Sequence, residues 1–325
     1  MVKILENIPQ GIYQYKGEIN LDYDYILKYL RENKTFGDEK NVDYNGIFHV
    51  HWRGPIDTDK VIFKIKSILA TQEVSKIFFW IENNLTTMMS PGYPKLMQFR
   101  KYIDIKVFDK SVLDLAQGDQ ANKDMIWNYF NRNHPDRRYK TDILRWVVTS
   151  IYGGVYSDMD TLFLRDIRDI KINNWCSKWG SEPYAEACIL KLEKGSNIYE
   201  QMYLNNKHYQ QCFLLIVNSM PEAFNYKYDN LNFVSLPHSF FDIMWRLEYE
   251  RPIDGIKFDG FQTFFEETER ETTIDNFLKG CFTFHWHNNW GDPELKKSYA
   301  GRLNENMDRI IEEKYNIKPI KIFQS

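Results

Sequence analysis

The sequence lacks the features that mark membrane, disulfide-stapled or nucleic-acid-binding proteins. It has only 4 cysteines in 325 residues, Cys176, Cys188, Cys212 and Cys281. Their spacings fit neither a metal knuckle nor a disulfide framework, so reduced core thiols are expected. No run of about 18 apolar residues occurs, which excludes an ordinary membrane-spanning helix. Residues 1–10 contain no apolar stretch of the signal-peptide kind, so a cytoplasmic protein is expected, in a bacterium or in the cytosol of a virus-infected host. Neither sign of charge dominates: 42 basic and 45 acidic side chains leave a net charge of −3. The basic clusters, such as Arg137-Arg138, are too short for a nucleic-acid footprint. Internal repeats, low-complexity tracts and a clear domain linker are also missing.

What is present suits one large domain, or a core domain with an appendage, and a substantial core. Aromatic residues are abundant, with 9 Trp, 21 Tyr and 22 Phe. Most are expected in the core, and some as platforms for bases or sugar rings. Residues 1–42 read as an N-terminal extension, with a helix over 23–32 and a polar loop over 33–39. Residues 46–52 alternate as a first strand. Residues 56–71 read as a helix, 76–81 as a second strand and 102–108 as a third. This alternation predicts an α/β fold with a mainly parallel sheet. Residues 109–140 read as polar helix broken near 133–136 by Pro135 and its neighbours. Residues 172–300 are expected to mix short strands with aromatic-rich helices, and 302–315 to form a terminal helix. The expected division is an extension over 1–42, a catalytic domain over 43–300 and a C-terminal helix and tail over 301–325.

The most informative segment is 141–160, which ends in Asp158-Met159-Asp160. Ile143, Leu144, Trp146, Val147, Val148 and Ile151 have helical spacing. Gly153-Gly154 then stops the helix, and residues 155–157 read as a short buried strand. Two carboxylates just past the C-terminal end of such a strand lie where open α/β sheets bind ligands. Spaced one residue apart, they can share a hard divalent cation, Mg²⁺ or Mn²⁺, that also takes phosphate oxygens. Such an ion helps a diphosphate leave, which is the chemistry of a nucleotide-sugar glycosyltransferase. Alone, the triplet is a common loop pattern; the helix and glycine break before it give it weight.

Asp142 and Arg145, three apart, share a helix face. Spacing alone favours a solvated ion pair over a pair aimed at sugar hydroxyls. His285-Trp286-His287-Asn288-Asn289-Trp290 follows an apolar strand over 281–284. Its histidines can complete the coordination of Mn²⁺, and its indoles can donate to phosphate. A packed aromatic edge with solvated histidines accounts for the same residues equally well. Trp52, at the end of the first strand, is either a core side chain or a base-stacking platform. His49 and His51 lie on the strand face opposite Phe48, Val50 and Trp52, with no role indicated.

Together these residues resemble the DXD-containing glycosyltransferases of family 32, which are similar at the site to clostridial glucosylating toxins. Residues 141–160 are close to the family pattern S-D-x-x-R-x-x-x-L-x-x-x-G-G-x-Y-x-D-x-D, with Thr141 for the opening Ser and Thr149 for Leu. His51-Trp52-Arg53-Gly54 looks like the family's opening strand end. Residues 236–241 loosely match L-P-x-x-x-F, without the proline that often follows. Residues 285–290 resemble the closing H-W-x-x-S-W, with Asn289 for Ser. The resemblance covers roughly 46–292. It implies a glycosyltransferase-A-type, Rossmann-like fold with a mainly parallel central sheet and extra helices. It further implies a retaining, metal-dependent transfer of a hexose from a nucleotide sugar to a glycan hydroxyl. Asp158 would touch sugar or metal and Asp160 would ligate the metal. Asp142 and Arg145 would hold sugar hydroxyls, and Trp52 would stack on the base. His285, or else His287, would be a third metal ligand, with Asn288 and Trp290 near the diphosphate.

The implied cofactor is Mn²⁺ or Mg²⁺. The implied donor is a UDP-sugar, since a lone stacking tryptophan suits uracil, with GDP-mannose next. Polysaccharide biosynthesis is the implied setting. A non-catalytic nucleotide-sugar- or glycan-binding module of the same fold is the alternative, and the intact carboxylate pair argues against it. A phosphotransferase with an aspartyl nucleophile would need Asp57, which lies in an expected loop. Acceptor, linkage and oligomeric state are not legible from the sequence.

Overall fold

The computed structural model describes residues 3–4, 44–82, 84–132, 138–170, 172–178, 185–196, 234–236, 240–242, 244, 255–293 and 295–323. The expected helix over 23–32, loop over 33–39 and proline break near 133–136, and Cys212, lie outside these residues. Strand β1 (Lys3–Ile4) and strand β2 (Ile47–Trp52) come first. Helix α1 (Lys60–Thr71), β3 (Lys76–Ile81) and β4 (Ile103–Val107) follow. Next are α2 (Gln120–Asn131), α3 (Arg138–Tyr152), β5 (Gly154–Ser157) and β6 (Thr161–Phe163). The remainder comprises β7 (Trp175–Lys178), β8 (Ala185–Leu192), β9 (Val234–Leu236), β10 (Thr283–His285) and α4 (Tyr299–Tyr315). The described part of residues 172–298 forms strands, turns and short 3₁₀ segments and contains no α-helix, so the helices expected there are not found among the described residues.

The main sheet has the order β1-β9-β7-β8-β5-β2-β3-β4. Only β8 runs against its neighbours; the other pairings are parallel. This is the mainly parallel α/β sheet the sequence predicts. The chain leaves β2 toward β3 and β4 on one side, then returns through α3 to place β5 on the other side of β2. The crevice at the C-terminal ends of β2 and β5 is therefore a topological switch point, where open α/β sheets bind ligands. Trp52 ends β2, and Asp158 follows β5 directly.

Both faces of the sheet are covered. On one, Trp80, Ile143, Leu144, Trp146, Val147 and Tyr156 join α3 to the strands. On the other, α1 is enclosed almost all round, packed against α4 and β6. That enclosure takes in three lysines, Lys60, Lys64 and Lys66, each fully buried. A buried ammonium is tolerated only when its donors are satisfied. Lys66 meets this demand by donating to Asn304, Asp308 and the Ile320 carbonyl, which ties α4 to α1. Among the described residues no helix is long and apolar enough to cross a membrane. Cys176, Cys188 and Cys281 are buried free thiols, as expected.

Candidate active site

The glycine break at the end of α3 sets the site. Gly153 and Gly154 have φ of 70° and 94°, a region that L side chains rarely adopt. A Cβ on Gly154 would collide with the Ile47 carbonyl oxygen, so glycine lets β5 lie directly against β2. β5 then delivers Asp158, whose N–H donates to Cys188 O at 2.8 Å, while Thr161 N–H closes the turn on Asp158 O at 3.1 Å. The Tyr156 hydroxyl donates to Asp158 Oδ1 at 2.8 Å.

Asp142 and Arg145 are not a solvated pair. Their side chains are only 10% and 8% exposed, with Arg145 Nη2 at 2.8 Å from Asp142 Oδ1 and 3.3 Å from Asp158 Oδ1. Arg145 also donates to the carbonyl of Ala187, which sits in β8 with a φ of 56°. Spacing along α3 could not reveal this, because β8, distant in sequence, covers that helix face. Burial opposes the charged guanidinium, but Asp158 and Asp142 more than offset it and raise its pKa. For Asp158, burial dominates and Asp160 adds to it, so its pKa is raised despite Arg145.

His285 arrives through a second sheet. β6 and β10 pair antiparallel in a register that sets His285 opposite Thr161, the residue after Asp160. Trp286 N–H donates to Asp160 O at 3.0 Å, and Asn288 N–H to Asp160 Oδ2 at 2.8 Å. His285 Nε2 lies 3.2 Å from Asp160 Oδ1. Its Nδ1 faces Asp242 Oδ2 at 3.0 Å, and His287 Nε2 faces the same oxygen at 2.7 Å. The two imidazoles stack with centroids 3.8 Å apart. Of the two histidines, His285 is thus the one grouped with the Asp158–Asp160 pair, while His287 turns to Asp242. Burial would raise the Asp160 carboxyl, but His285 and the Asn288 N–H hold it down at about 2. Asp242 is held below the usual carboxylate range by both histidines, again against burial. His285, though buried, is pushed well up by Asp160 and Asp242.

The donor set fits a divalent cation. One ligand atom each from Asp158, Asp160 and His285 lie within 4.8 Å of one another. When His285 is neutral, Asp242 accepts the Nδ1 proton and leaves the Nε2 lone pair on the Asp160 side. This is the usual orientation of a metal-binding imidazole by a carboxylate. Two carboxylates with one imidazole suit Mn²⁺, or Mg²⁺.

Residues 58–182 match the family model described as "Glycosyltransferase sugar-binding region containing DXD motif". That part of the chain is similar to the DXD glycosyltransferases. The matched segment contains Asp142, Arg145, Asp158 and Asp160. No curated protein sequence matches the chain. Among solved structures it is similar to the PaToxG glycosyltransferase, at 15% identity and a TM-score of 0.39 over 62% of this chain and 76% of that one. It is also similar to the WbbM bifunctional glycosyltransferase, at 11% identity and a TM-score of 0.44 over 86% of this chain and 53% of that one. The glycosyltransferase GlyE of Streptococcus pneumoniae TIGR4 gives 10% identity and a TM-score of 0.42 over 87% of this chain and 66% of that one. The chain thus spans about half the length of WbbM and just under two thirds of GlyE.

Beside this site Trp52 and Trp290 are only partly buried. Trp52 meets Trp290 edge-to-face with centroids 5.1 Å apart, and its Nε1 donates to Pro55 O at 2.9 Å. Trp290 Nε1 donates to Asn288 Oδ1 at 3.3 Å. His49 and His51 support the site from below. Trp80 Nε1 donates to His49 Nδ1 at 3.1 Å, so His49 Nε2 must carry the proton given to Gly153 O at 2.9 Å. His51 Nδ1 bonds Thr141 Oγ1 at 2.9 Å. Burial holds His49 and His51 down, to about 4 and about 3, so both are neutral near pH 7.

Sequence reasoning missed three residues. Asp242 directly follows the loosely matching residues 236–241, where the family pattern often has a proline. Lys64 donates to Ser157 Oγ at 2.7 Å and to Thr161 O, bracing the DMD turn from beneath; burial lowers its pKa to about 7 against the pull of Asp158 and Asp160. Lys60, one turn earlier, donates to the carbonyls of Asn289, Trp290 and Asp292 and clamps the loop that carries Trp290. Only the i, i+4 lysine spacing on an otherwise apolar helix hinted at either.

Proposed function

We propose that this chain is a retaining, divalent-metal-dependent hexosyltransferase. It moves a hexose from a nucleotide sugar, UDP-sugar first and GDP-mannose next, to a glycan hydroxyl, with polysaccharide biosynthesis as the setting. The observation that carries this reading is the convergence of Asp158, Asp160 and His285 beside the buried Asp142–Arg145 pair. Asp160 and His285 would hold the cation, with Asp158 turned toward sugar or metal. Bound there, the cation would supply positive charge to the leaving diphosphate.

The chain's own residues do the positioning. Asp142 and Arg145 present an acceptor and a donor side by side, which matches neighbouring sugar hydroxyls. Their mutual contact and burial preset that geometry, so little ordering is needed on binding. Trp52 offers an indole for the base, and Asn288 and Trp290 stand at the diphosphate. The bond from the anomeric carbon to diphosphate oxygen breaks, and the acceptor oxygen bonds to that carbon on the same face. The acceptor's proton passes to the departing diphosphate. A screen of nucleotide sugars for Mn²⁺-dependent hydrolysis tests this. Release of the nucleotide by wild type and its loss in Asp160→Asn is expected; release that ignores Mn²⁺ and this substitution, or product of inverted anomeric configuration, refutes it.

A further inference from the structure

A cavity of about 460 Å³ opens beside the site, lined by Ile56, Asp57, Thr58, Asp59, Pro91, Gly92, Lys95 and Trp290. We infer that this cavity, walled on one side by Trp290, is a subsite for a neutral sugar ring, that of the acceptor glycan. The inference rests on the sugar-transfer reading above and deepens it.

The wall is fixed relative to the carboxylates. Asn288 N–H is bonded to Asp160 Oδ2, Trp290 is bonded to Asn288, and Lys60 clamps the Trp290 carbonyl at 3.2 Å. The floor is fixed as well. Lys95 Nζ holds both Asp59 oxygens at 2.6 Å, and Gly92 N–H donates to Ile56 O at 2.9 Å. A Cβ on Gly92 would strike Ile56, so glycine permits this contact.

The lining chemistry selects the ligand. Two carboxylates against one ammonium leave the cavity net negative, which disfavours a diphosphate. Trp290 and Pro91, partly and well exposed, supply an apolar surface for a pyranose C–H face. Asp57 is exposed, and its carboxylate has no partner among the described residues, so it is free to accept from ring hydroxyls. The volume falls in the range of small-ligand sites.

Saturation-transfer NMR on the full chain tests this with methyl α-glucoside, methyl α-galactoside and methyl α-mannoside, each with and without UDP plus Mn²⁺. Wild type is expected to saturate the pyranose C–H protons of at least one glycoside in both states. Asp57→Ala should cut that signal at least fivefold and leave the thermal shift caused by UDP plus Mn²⁺ unchanged. The inference is overturned if no glycoside is saturated, if Asp57→Ala saturates as wild type does, or if UDP displaces the glycoside. A weaker UDP shift in Asp57→Ala overturns it too, because the cavity then belongs to the donor. If wild type shows no shift with UDP plus Mn²⁺, the transfer reading fails, while glycoside saturation without nucleotide still decides the subsite.

Discussion

Replacing Asp242 by Asn should damage the site without touching any residue of the DMD triplet. Asp242 is fully buried and takes His285 Nδ1 at 3.0 Å and His287 Nε2 at 2.7 Å on one oxygen. At 3 Å and an effective dielectric near 20, the gross attraction to one protonated imidazole is about 5–6 kcal/mol. An asparagine keeps a single acceptor oxygen, so part of the hydrogen bonding survives and the net cost should be about 2–3 kcal/mol. At roughly 2.1 cal/mol/K per residue over 325 residues, that lowers Tm by about 3–4 °C. The pH dependence gives a second handle. The raised pKa of His285 means its ion pairs contribute fully below about pH 6.5, and that contribution is lost as pH rises through the higher folded value. Metal-free wild type should therefore lose stability with rising pH above 6.5, and Asp242→Asn should flatten that loss. Mn²⁺ affinity should fall about 10- to 100-fold, because the imidazole is no longer oriented. Thermal melts at pH 6 and 8 with Mn²⁺ titrations provide the assay. A variant with wild-type Tm, wild-type slope and wild-type Mn²⁺ affinity would refute the role given to Asp242.

Lys60→Met should remove the donor shared by three loop carbonyls and cost about 2–3 kcal/mol. Amide exchange over residues 288–292 should speed up; unchanged exchange contradicts the clamp. Gly154→Ala should cost about 2–4 kcal/mol, since it forces a side chain onto a φ of 94° against the Ile47 carbonyl. Calorimetry reads that loss, and an unshifted Tm would show that β5 can step back from β2. Mn²⁺ affinity should rise about tenfold per pH unit between pH 6 and 7, because His285 must release its proton to bind; a flat profile removes His285 from the ligand set.

The strand β3 and the helix over 142–152 were legible because apolar periodicity and glycine punctuation mark them locally. The switch-point crevice followed from the same alternation. Spacing alone favours a solvated Asp142–Arg145 pair because it reports which residues share a face, not what covers it; β8 and its Ala187 carbonyl do so here. His285 and His287 looked alike in sequence. The β6–β10 register, a long-range pairing, separates them and points only His285 at Asp160. Asp242 has no local signature, since a single acid after two phenylalanines acquires meaning only when two imidazoles fold onto it. Lys60 and Lys64 have no local signature either, since the acceptors that satisfy them, the Asn289, Trp290 and Asp292 carbonyls for one and Ser157 and Thr161 for the other, lie far along the chain.

The proposed function stands on a cation centre built by Asp160 and His285 that would serve a nucleotide diphosphate. Electron paramagnetic resonance of Mn²⁺ titrated into the full chain, with and without UDP, tests it most directly. One bound Mn²⁺ that UDP tightens is expected, with the effect abolished in both Asp160→Asn and His285→Ala. Mn²⁺ binding that ignores UDP, or survives both substitutions unchanged, would contradict it.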